Sequence, residues 1–374
     1  MTRIELPDPR VRVDGVAWVD EAPGALRPHR IGRSWMHELA VETLFVEGMP
    51  SGARLVFATD ATSVAVECTP MRLTVGLDER PATFDLVVAG DRLASVEADF
   101  GHRVVVDIAD ESTEYTEGGR GTVVLDGLPG ELVEVEIWLP HAAGVTLHAI
   151  EVADDAVIHA AEVVARPRWV HHGSSISHCM EADGPTRTWP AVAAAVTGHD
   201  LVNLGAAGQC HVDQFAARTI RDLAADRISL KLGINVANAD SMNERTFPSA
   251  VHGFLDTVRE GHPDTPILVI SPIICPALET TPGPSQLGDD GTITASGTEA
   301  DVFFGRLTLV RMREILSDLV EARRTLGDDR LTYLDGRELF GEDDVDDLPD
   351  GLHPNAGGYV RIGERFARHP FLSH

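Results

Sequence analysis

The sequence predicts two domains: an all-β sandwich and, after it, an α/β domain built on five parallel strands. Three observations support this prediction. The chain has 374 residues, which is long enough for two domains. Between about residues 54 and 152, apolar and polar residues alternate with a period of two. After about residue 166, strand-like runs alternate with amphipathic helical segments.

The first half, which we place at residues 1–160, consists of short predicted strands. In residues 133–139, for example, Val133, Val135 and Ile137 share one face, while glutamates and a tryptophan occupy the other. Turns that contain glycine and aspartate separate several of these runs. Many short strands with no helical period between them are typical of an antiparallel, jelly-roll-like sandwich.

The second half, at residues 166–374, alternates between strand-like and helical runs. Five apolar runs predict strands, and they read RWVHH, DLVNLG, RISLKLGIN, PILVISPI and LTYLDG. Among the amphipathic segments, residues 301–324 predict one long helix. This alternation predicts a parallel sheet with helices on both faces. Residues 275–298 show no regular pattern, and irregular segments of this length are commonly functional.

Composition argues against several partners. The net charge of -28 would repel a phosphate backbone or an anionic membrane surface. No apolar run is long enough to span a bilayer, and the N-terminus lacks the pattern of a signal peptide. The four cysteines are widely spaced, as expected for reduced thiols. We therefore expect a cytoplasmic protein with no nucleic-acid or membrane partner.

Polar residues and a glycine follow four of the five predicted strands. Ser175 follows the first strand, Gly208 the second and Asn235 the third, and Asp350 and His353 come after the fifth. The carboxyl ends of parallel strands lie along one edge of a sheet, and ligands bind at that edge in open α/β sheets. A serine, a histidine, an aspartate and amide donors on one edge are the groups that acyl transfer needs.

These residues stand in four short motifs that resemble those of the SGNH hydrolases, also called the GDSL esterase family. The motifs read GSSIS, NLGAAGQ, LGIN and DGLHP, and they occur in this order within residues 166–374. The resemblance implies a three-layer α/β/α domain of the flavodoxin-like type. With a sandwich before this domain, the chain is similar to two-domain carbohydrate esterases and actinobacterial acyltransferases of the family.

The resemblance also implies a role for each residue. Ser175 would be the nucleophile, His353 the base that takes its proton, and Asp350 the carboxylate that orients the imidazole. The backbone amides of Ser175 and Gly208 and the side-chain amide of Asn235 would form an oxyanion hole. No cofactor and no metal are implied.

The chain departs from the family pattern at two positions. Ser174 replaces the aspartate of G-D-S, and Val236 replaces the aspartate that follows the asparagine. Neither replaced residue performs acyl transfer, although both changes alter the polarity around the serine. Ser177 occupies the last position of a would-be G-x-S-x-G motif, which argues against an α/β-hydrolase elbow.

Several of these residues also have an ordinary structural explanation. Ser175 could be a helix N-cap, His353 a surface histidine at a helix start, and Gly208 a turn residue. Cys179 and Cys210 are close in sequence to the site and are best explained as small packing residues.

Two other clusters could suggest a metal. Adjacent histidines on a strand point to opposite faces, so His171, His172, His178 and His211 do not form a ligand set, although His172 or His178 could line the pocket. The acidic run at residues 341–347 lacks the ligand spacing of a calcium loop, and a solvated loop explains it better.

The function that the sequence favours is a serine esterase that cleaves a small acyl ester through an acyl-enzyme on Ser175. The same groups could instead transfer an acyl or aryl-acyl group to a hydroxyl of a sugar or a polyketide-like natural product, since water exclusion separates the two reactions. A third alternative is a non-catalytic carbohydrate-binding protein with a sandwich like a carbohydrate-binding module. Trp138 is the clearest aromatic for stacking on a sugar, but the scarcity of aromatics favours a structural or pocket-forming sandwich.

Overall fold

The computed structural model describes residues 1–75, 78–107, 112–288 and 290–373. The chain divides into two compact units. The first, here called the β unit, comprises Met1–Arg33, Ala40–Arg166 and Asp183–Arg187. The second, the α/β unit, comprises Ser34–Leu39, Pro167–Ala182 and Thr188–His374.

The β unit contains two sheets that enclose an apolar core. Its strands and its single α-helix within the described residues are β1 (Thr2–Glu5), β2 (Arg12–Asp14), β3 (Trp18–Ala22), β4 (Ala25–His29), α1 (Val41–Glu47), β5 (Arg54–Thr59), β6 (Ser63–Val75), β7 (Asp78–Arg80), β8 (Ala82–Val88), β9 (Asp91–Ala98), β10 (His102–Asp107), β11 (Ser112–Thr116), β12 (Gly121–Asp126), β13 (Val133–Trp138), β14 (Ala143–Val152) and β15 (Ile158–His159). The larger sheet has the order β11-β10-β6-β14-β4-β3, with β1 beside β14 and with β7 and β12 beside β6. The smaller sheet has the order β15-β5-β13-β8-β9, with β2 beside β5.

The alternation in the sequence explains this sandwich. Val135 and Ile137 on β13 are fully buried and pack in the core with Phe57 and Phe84, as the period of two predicts. One strand pair differs from the prediction, because β6 and β10 are parallel. Parallel neighbours need a crossover, and here the chain between them runs through β8 and β9 in the other sheet.

The α/β unit is built on five parallel strands. Its elements are β16 (Arg168–Gly173), α2 (Ser175–His178), α3 (Trp189–Thr197), β17 (Asp200–Gly205), α4 (Gln214–Asp222), β18 (Arg227–Lys231), α5 (Ile234–Ala239), α6 (Thr246–Gly261), β19 (Ile267–Ile270), β20 (Ser285–Leu287), β21 (Ile293–Ala295), α7 (Glu299–Phe303), α8 (Leu309–Thr325), β22 (Leu331–Leu334) and α9 (Ala356–Ala367). The sheet has the order β17-β16-β18-β19-β22, and β20 pairs with β21 in a separate hairpin.

Helices cover both faces of this sheet. His171 and His172 are neighbours on β16, so their side chains point to opposite faces. The His171 ring packs edge-on against Trp189 of α3, whereas the His172 ring stacks on Phe254 of α6. Helix α3 therefore lies on one face and α6 on the other. The predicted fold class, a sandwich followed by a three-layer α/β/α domain with five parallel strands, is confirmed.

Two predictions for the α/β unit were wrong. Residues 301–324 do not form one helix, because Gly305 adopts a φ of +91° that ends α7, and Thr308 caps the start of α8. The irregular segment 275–298 does contain regular structure, namely a 3-10 helix at Pro276–Leu278 and the hairpin of β20 and β21; residue 289 of this segment lies outside the described residues. None of the helices in the described part of the chain has the length and hydrophobicity that crossing a membrane requires.

Candidate active site

Ser175 is the first residue of α2, directly after β16 ends at Gly173. The residue that caps this short helix is Ser174, whose side chain accepts a hydrogen bond from the backbone N–H of Ile176 at 3.3 Å. The N-cap explanation for Ser175 was therefore wrong by one position. The Ser175 hydroxyl instead lies 2.9 Å from Nε2 of His353.

His353 is also joined to Asp350. Its Nδ1 lies 2.6 Å from Oδ2 of Asp350. The other carboxylate oxygen accepts hydrogen bonds from the backbone N–H groups of Leu352 and His353, at 2.8 and 2.7 Å. Ser175, His353 and Asp350 thus form one continuous hydrogen-bonded series, although 178 positions of sequence separate the serine from the histidine.

The charge of Asp350 determines the tautomer of His353. Burial alone would raise the pKa of Asp350, but the hydrogen bond and the charge of His353, together with the two backbone donors, lower this pKa to about 2. Asp350 is therefore ionised at neutral pH and accepts a hydrogen bond from the Nδ1–H of His353. Nε2 of the neutral ring then accepts a hydrogen bond from the Ser175 hydroxyl.

Asn235 lies in the first turn of α5, and not in a loop directly after the strand. Its Oδ1 accepts a hydrogen bond from the backbone N–H of Cys210 at 3.0 Å, which leaves its NH₂ group as a donor. This contact ties α5 to the segment that carries Gly208. In that segment Gly208 has a φ of +70°, a conformation that favours glycine.

Three N–H groups around this edge have no protein acceptor among the described residues. They are the backbone amides of Ser175 and Gly208 and the side-chain amide of Asn235. His211 holds the Gly208 loop, since its Nε2 lies 3.1 Å from the Gly208 carbonyl and its Nδ1 lies 3.0 Å from the hydroxyl of Ser241. The three N–H groups are therefore available as hydrogen-bond donors to a negatively charged oxygen.

His172, His178, Cys179 and Cys210 are buried and do not present reactive groups. His172 and His178 are only 2% and 0% exposed, so the prediction that one of them lines the pocket was wrong. Nδ1 of His172 donates a hydrogen bond to the carbonyl of Leu204 at 2.9 Å. Burial raises the pKa of the Cys179 thiol well above its ordinary value and that of Cys210 to about 12, which disfavours the thiolate form.

The acidic run also differs from the prediction. Residues Glu342–Asp347 form a 3-10 helix, in which Asp344 is buried and pairs with Arg361 and Arg365 of α9. Its carboxylate also accepts the backbone N–H of Gly341 at 2.9 Å. In the described ranges, no group of three or more His, Cys, Asp or Glu side chains could hold a metal ion.

Two contacts that sequence reasoning missed connect the segments of the site. The hydroxyl of Tyr359 on α9 donates to Glu181, which follows α2, at 2.7 Å, and the tyrosine is fully buried. The backbone N–H of Ile293 on β21 donates to the carbonyl of Asp350 at 2.7 Å. No local sequence signal marks either contact, because each joins residues that are distant in the chain.

The fold and the hydrogen-bonded series define a class: α/β proteins with a serine, a histidine and an aspartate at the carboxyl edge of a parallel sheet. A model of the GDSL-like lipase/acylhydrolase family matches residues 172–361, which is half of the chain. The chain therefore belongs to the GDSL-like lipase/acylhydrolase family, and the resemblance noted in the sequence is confirmed. Members of this family are acyl-transferring enzymes. A search of curated proteins found no significant match.

Three solved structures each match this chain along nearly its whole length. A salicylyl-acyltransferase, SsfX3, from a tetracycline biosynthetic pathway is 28% identical, with a TM-score of 0.79 over 98% of this chain and 95% of that one. A GDSL-like lipase from Bacteroides ovatus is 20% identical, with a TM-score of 0.69 and the same coverage. A family two carbohydrate esterase from Clostridium thermocellum is 13% identical, with a TM-score of 0.62 over 96% and 97% of the two chains, and at this identity it shows the fold alone.

Proposed function

We propose that the protein is a serine esterase that cleaves a small acyl ester through an acyl-enzyme on Ser175. The observation that carries this proposal is the series of hydrogen bonds from Asp350 through His353 to the Ser175 hydroxyl, at 2.6 and 2.9 Å. The polarity of this series favours proton transfer from the serine to His353, because Asp350 stabilises the imidazolium that forms.

The reaction has two halves. Ser175 Oγ bonds to the ester carbonyl carbon while its proton moves to Nε2 of His353. The tetrahedral intermediate then collapses, the bond to the alcohol oxygen breaks, and His353 returns the proton to that oxygen. Water attacks the resulting acyl-Ser175 with the same proton transfers and releases the carboxylic acid. His353 is neutral again at the end of each half.

The oxyanion of each tetrahedral intermediate needs donors that are already in place. In this proposal, the amides of Ser175 and Gly208 and the side-chain amide of Asn235 supply them. Their lack of a protein acceptor supports this assignment. The Asn235–Cys210 hydrogen bond would hold the asparagine amide in position, so that little reorganisation is required during the reaction.

The test compares the wild type with Ser175→Ala on p-nitrophenyl esters from acetate to octanoate. Ser112→Ala, an exposed serine on β11 in the β unit, is the matched control. We expect the wild type and the control to release nitrophenol at the same rate and the Ser175 variant to release none above background. Equal rates for all three proteins would contradict the proposal. The preferred chain length would measure the size of the acyl site.

A second candidate is acyl transfer to a hydroxyl other than water. It is favoured by the likeness along the whole chain to a salicylyl-acyltransferase. The discriminating experiment measures how the acyl-enzyme partitions when hydroxyl acceptors, such as monosaccharides and phenolic polyketide fragments, are added to an aryl-acyl thioester donor. An acyl-acceptor product that forms at the expense of the free acid would favour transferase activity; free acid alone would favour the esterase.

We further propose that residues 166–374 carry the catalytic function and that residues 1–160 serve a structural or pocket-forming role. The non-catalytic, sugar-binding alternative is disfavoured, since each residue that the chemistry needs is present. In addition, Trp138 is only 8% exposed and lies beneath the guanidinium of Arg54, so the stacking role considered for it was wrong. A cytoplasmic location also remains a proposal. It rests on four buried cysteines that form no disulfide, and cell fractionation tests it.

A further inference from the structure

A chain of buried hydrogen bonds lies directly beneath α2. The indole N–H of Trp169 donates to the hydroxyl of Ser229 at 2.8 Å. That hydroxyl lies 2.7 Å from Nδ1 of His171, and Nε2 of His171 lies 2.8 Å from the hydroxyl of Ser177. All four side chains are fully buried, and Ser177 is in the same helical turn as Ser175.

The donors and acceptors of this series connect the sheet to α2. Trp169 can only donate, so Ser229 accepts from it. His171 lies between two hydroxyl groups, and in a neutral ring one nitrogen donates while the other accepts. A neutral His171 can therefore complete both hydrogen bonds, with the hydroxyl groups of Ser229 and Ser177 oriented to match.

Several contacts fix the position of Ser177, which is at the end of this series of hydrogen bonds. The Ser177 hydroxyl lies over Gly173, where a Cβ atom would come within 2.3 Å of it. The carbonyl of Ser177 accepts a hydrogen bond from the side-chain amide of Asn203 at 2.9 Å. Helix α2 has only four residues, so its own hydrogen bonds hold it weakly, and these contacts to the sheet determine its position.

We infer that His171, as a neutral ring, is a positioning residue for Ser175: through Ser177 it fixes α2 on the sheet and so fixes the serine relative to His353. This inference rests on the proposed function, because it assigns to His171 an effect on the reactivity of Ser175. Burial keeps the pKa of His171 well below its ordinary value, in agreement with a neutral ring.

The test uses four single variants of the whole chain and the double variant Ser177→Ala/His171→Phe. Ser177→Ala removes the hydroxyl partner of His171 Nε2, and His171→Phe keeps a ring against Trp169 and Trp189 but removes both hydrogen bonds. His171→Gln places a side-chain amide near the position of Nε2. Val251→Ala, on the fully buried face of α6, is the control for a loss of thermal stability without a change beneath α2.

We expect Ser177→Ala and His171→Phe each to lower kcat on p-nitrophenyl acetate by about 10- to 100-fold, with KM changed less than about twofold, because small displacements of a reacting group cost this much. The labelling rate of Ser175 by a fluorophosphonate should fall by the same factor. The double variant should be no slower than the slower single variant, His171→Gln should recover most of the rate, and Val251→Ala should keep the wild-type kcat.

Wild-type kcat in folded Ser177→Ala or His171→Phe protein, or rate losses that multiply in the double variant, would overturn the inference. Nitrogen-15 chemical shifts of the His171 ring provide a readout that does not depend on activity, and a doubly protonated ring at pH 7 would also overturn the inference. If the wild-type protein itself neither labels at Ser175 nor hydrolyses any ester, the proposed function fails first, which distinguishes the two failures.

Discussion

Two histidines contact the short helix that carries Ser175, and their environments differ. At the open edge, the His353 side chain is 21% exposed and is hydrogen-bonded to the ionised carboxylate of Asp350. In the floor, which we define as Trp169, His171, Ser177, Ser229 and Lys231, His171 is fully buried between two hydroxyl groups.

The comparison shows that the hydrogen-bond partners of an imidazole determine whether it can exchange a proton or can only hold a neighbouring group in place. A carboxylate on Nδ1 and access to water allow His353 to gain and lose a proton. Complete burial and two uncharged hydroxyl partners keep His171 neutral, so that it serves only as a hydrogen-bond link. The largest effects on activity should therefore come from the open edge, and the effects on stability from the floor.

Beside the loss of activity in Ser175→Ala, the largest expected effect comes from Asp350→Asn. An amide on Nδ1 would favour the wrong tautomer of His353 and would not stabilise the imidazolium, so we expect kcat to fall by about 10⁴-fold with little change in fold. Steady-state kinetics with p-nitrophenyl acetate measure this, and circular dichroism controls for folding. A loss below tenfold would show that the carboxylate of Asp350 has no part in the reaction.

Asn235→Ala should have the next largest effect. It removes one donor for the oxyanion, and such a loss costs about 10²–10³-fold in kcat. Asn235→Asp is the matched variant, since it keeps the acceptor for the Cys210 N–H but replaces the NH₂ donor with a negative charge. If the Asp variant were as active as the wild type, Asn235 would serve only to hold the Cys210 loop.

The pH profile separates the two residues of the open edge. A protonated base cannot take the serine proton, so kcat/KM should fall about tenfold per pH unit once the pH is low enough to protonate His353. Asp350, whose pKa is lowered to about 2, should add no second transition above about pH 3. A rate that is constant between pH 5 and 8 would argue against His353 as the base.

The smallest expected effect is a change in stability, and it comes from Lys231 in the floor. Lys231, the only lysine of the chain, is buried beside Gly173, and its Nζ has no hydrogen-bond partner among the described residues. Lys231→Met keeps the length of the side chain and removes an unsatisfied donor, so we expect it to raise the free energy of unfolding by about 1–3 kcal/mol at pH 7. Urea titration measures this change, with Lys231→Ala as the control for lost packing.

The pH dependence of this gain has a definite sign. Burial lowers the pKa of Lys231 from 10.5 to about 8, so the folded state favours the neutral amine. Between about pH 8 and 10.5 the unfolded chain binds more protons than the folded protein, and wild-type stability therefore rises with pH relative to the variant. The gain should be constant below about pH 8 and should shrink above it. A gain that grew with pH would contradict the lowered pKa of Lys231.

The sequence predicted the open edge better than the floor. Ser175, Asp350 and His353 could be placed because each follows a strand, and strand exits meet at one edge of a parallel sheet. His171 was weighed only as a metal ligand, because the residues that hydrogen-bond to it, Ser177 and Ser229, are distributed over α2 and β18 and share no local pattern.

The sequence pattern also failed to predict some elements of the fold. The amphipathic period of residues 301–324 continued through Gly305, although a positive φ at this glycine ends the first helix. In the β unit, β3 and β4 were not predicted, since WVDEA and ALRPH do not alternate clearly between apolar and polar residues. The pairing of β3 with β4, and of β4 with β14, is a tertiary effect.

The central claim is that Ser175 forms the acyl-enzyme. The most direct test is a rapid acid quench of the protein with a p-nitrophenyl ester, followed by intact-mass spectrometry and peptide mapping. We expect a mass increase of one acyl group on the peptide that contains Ser175, no increase in Ser175→Ala, and its disappearance when the reaction is complete. An acyl group on any other residue, or ester hydrolysis without an adduct in the wild type and with an undiminished rate in Ser175→Ala, would contradict the account.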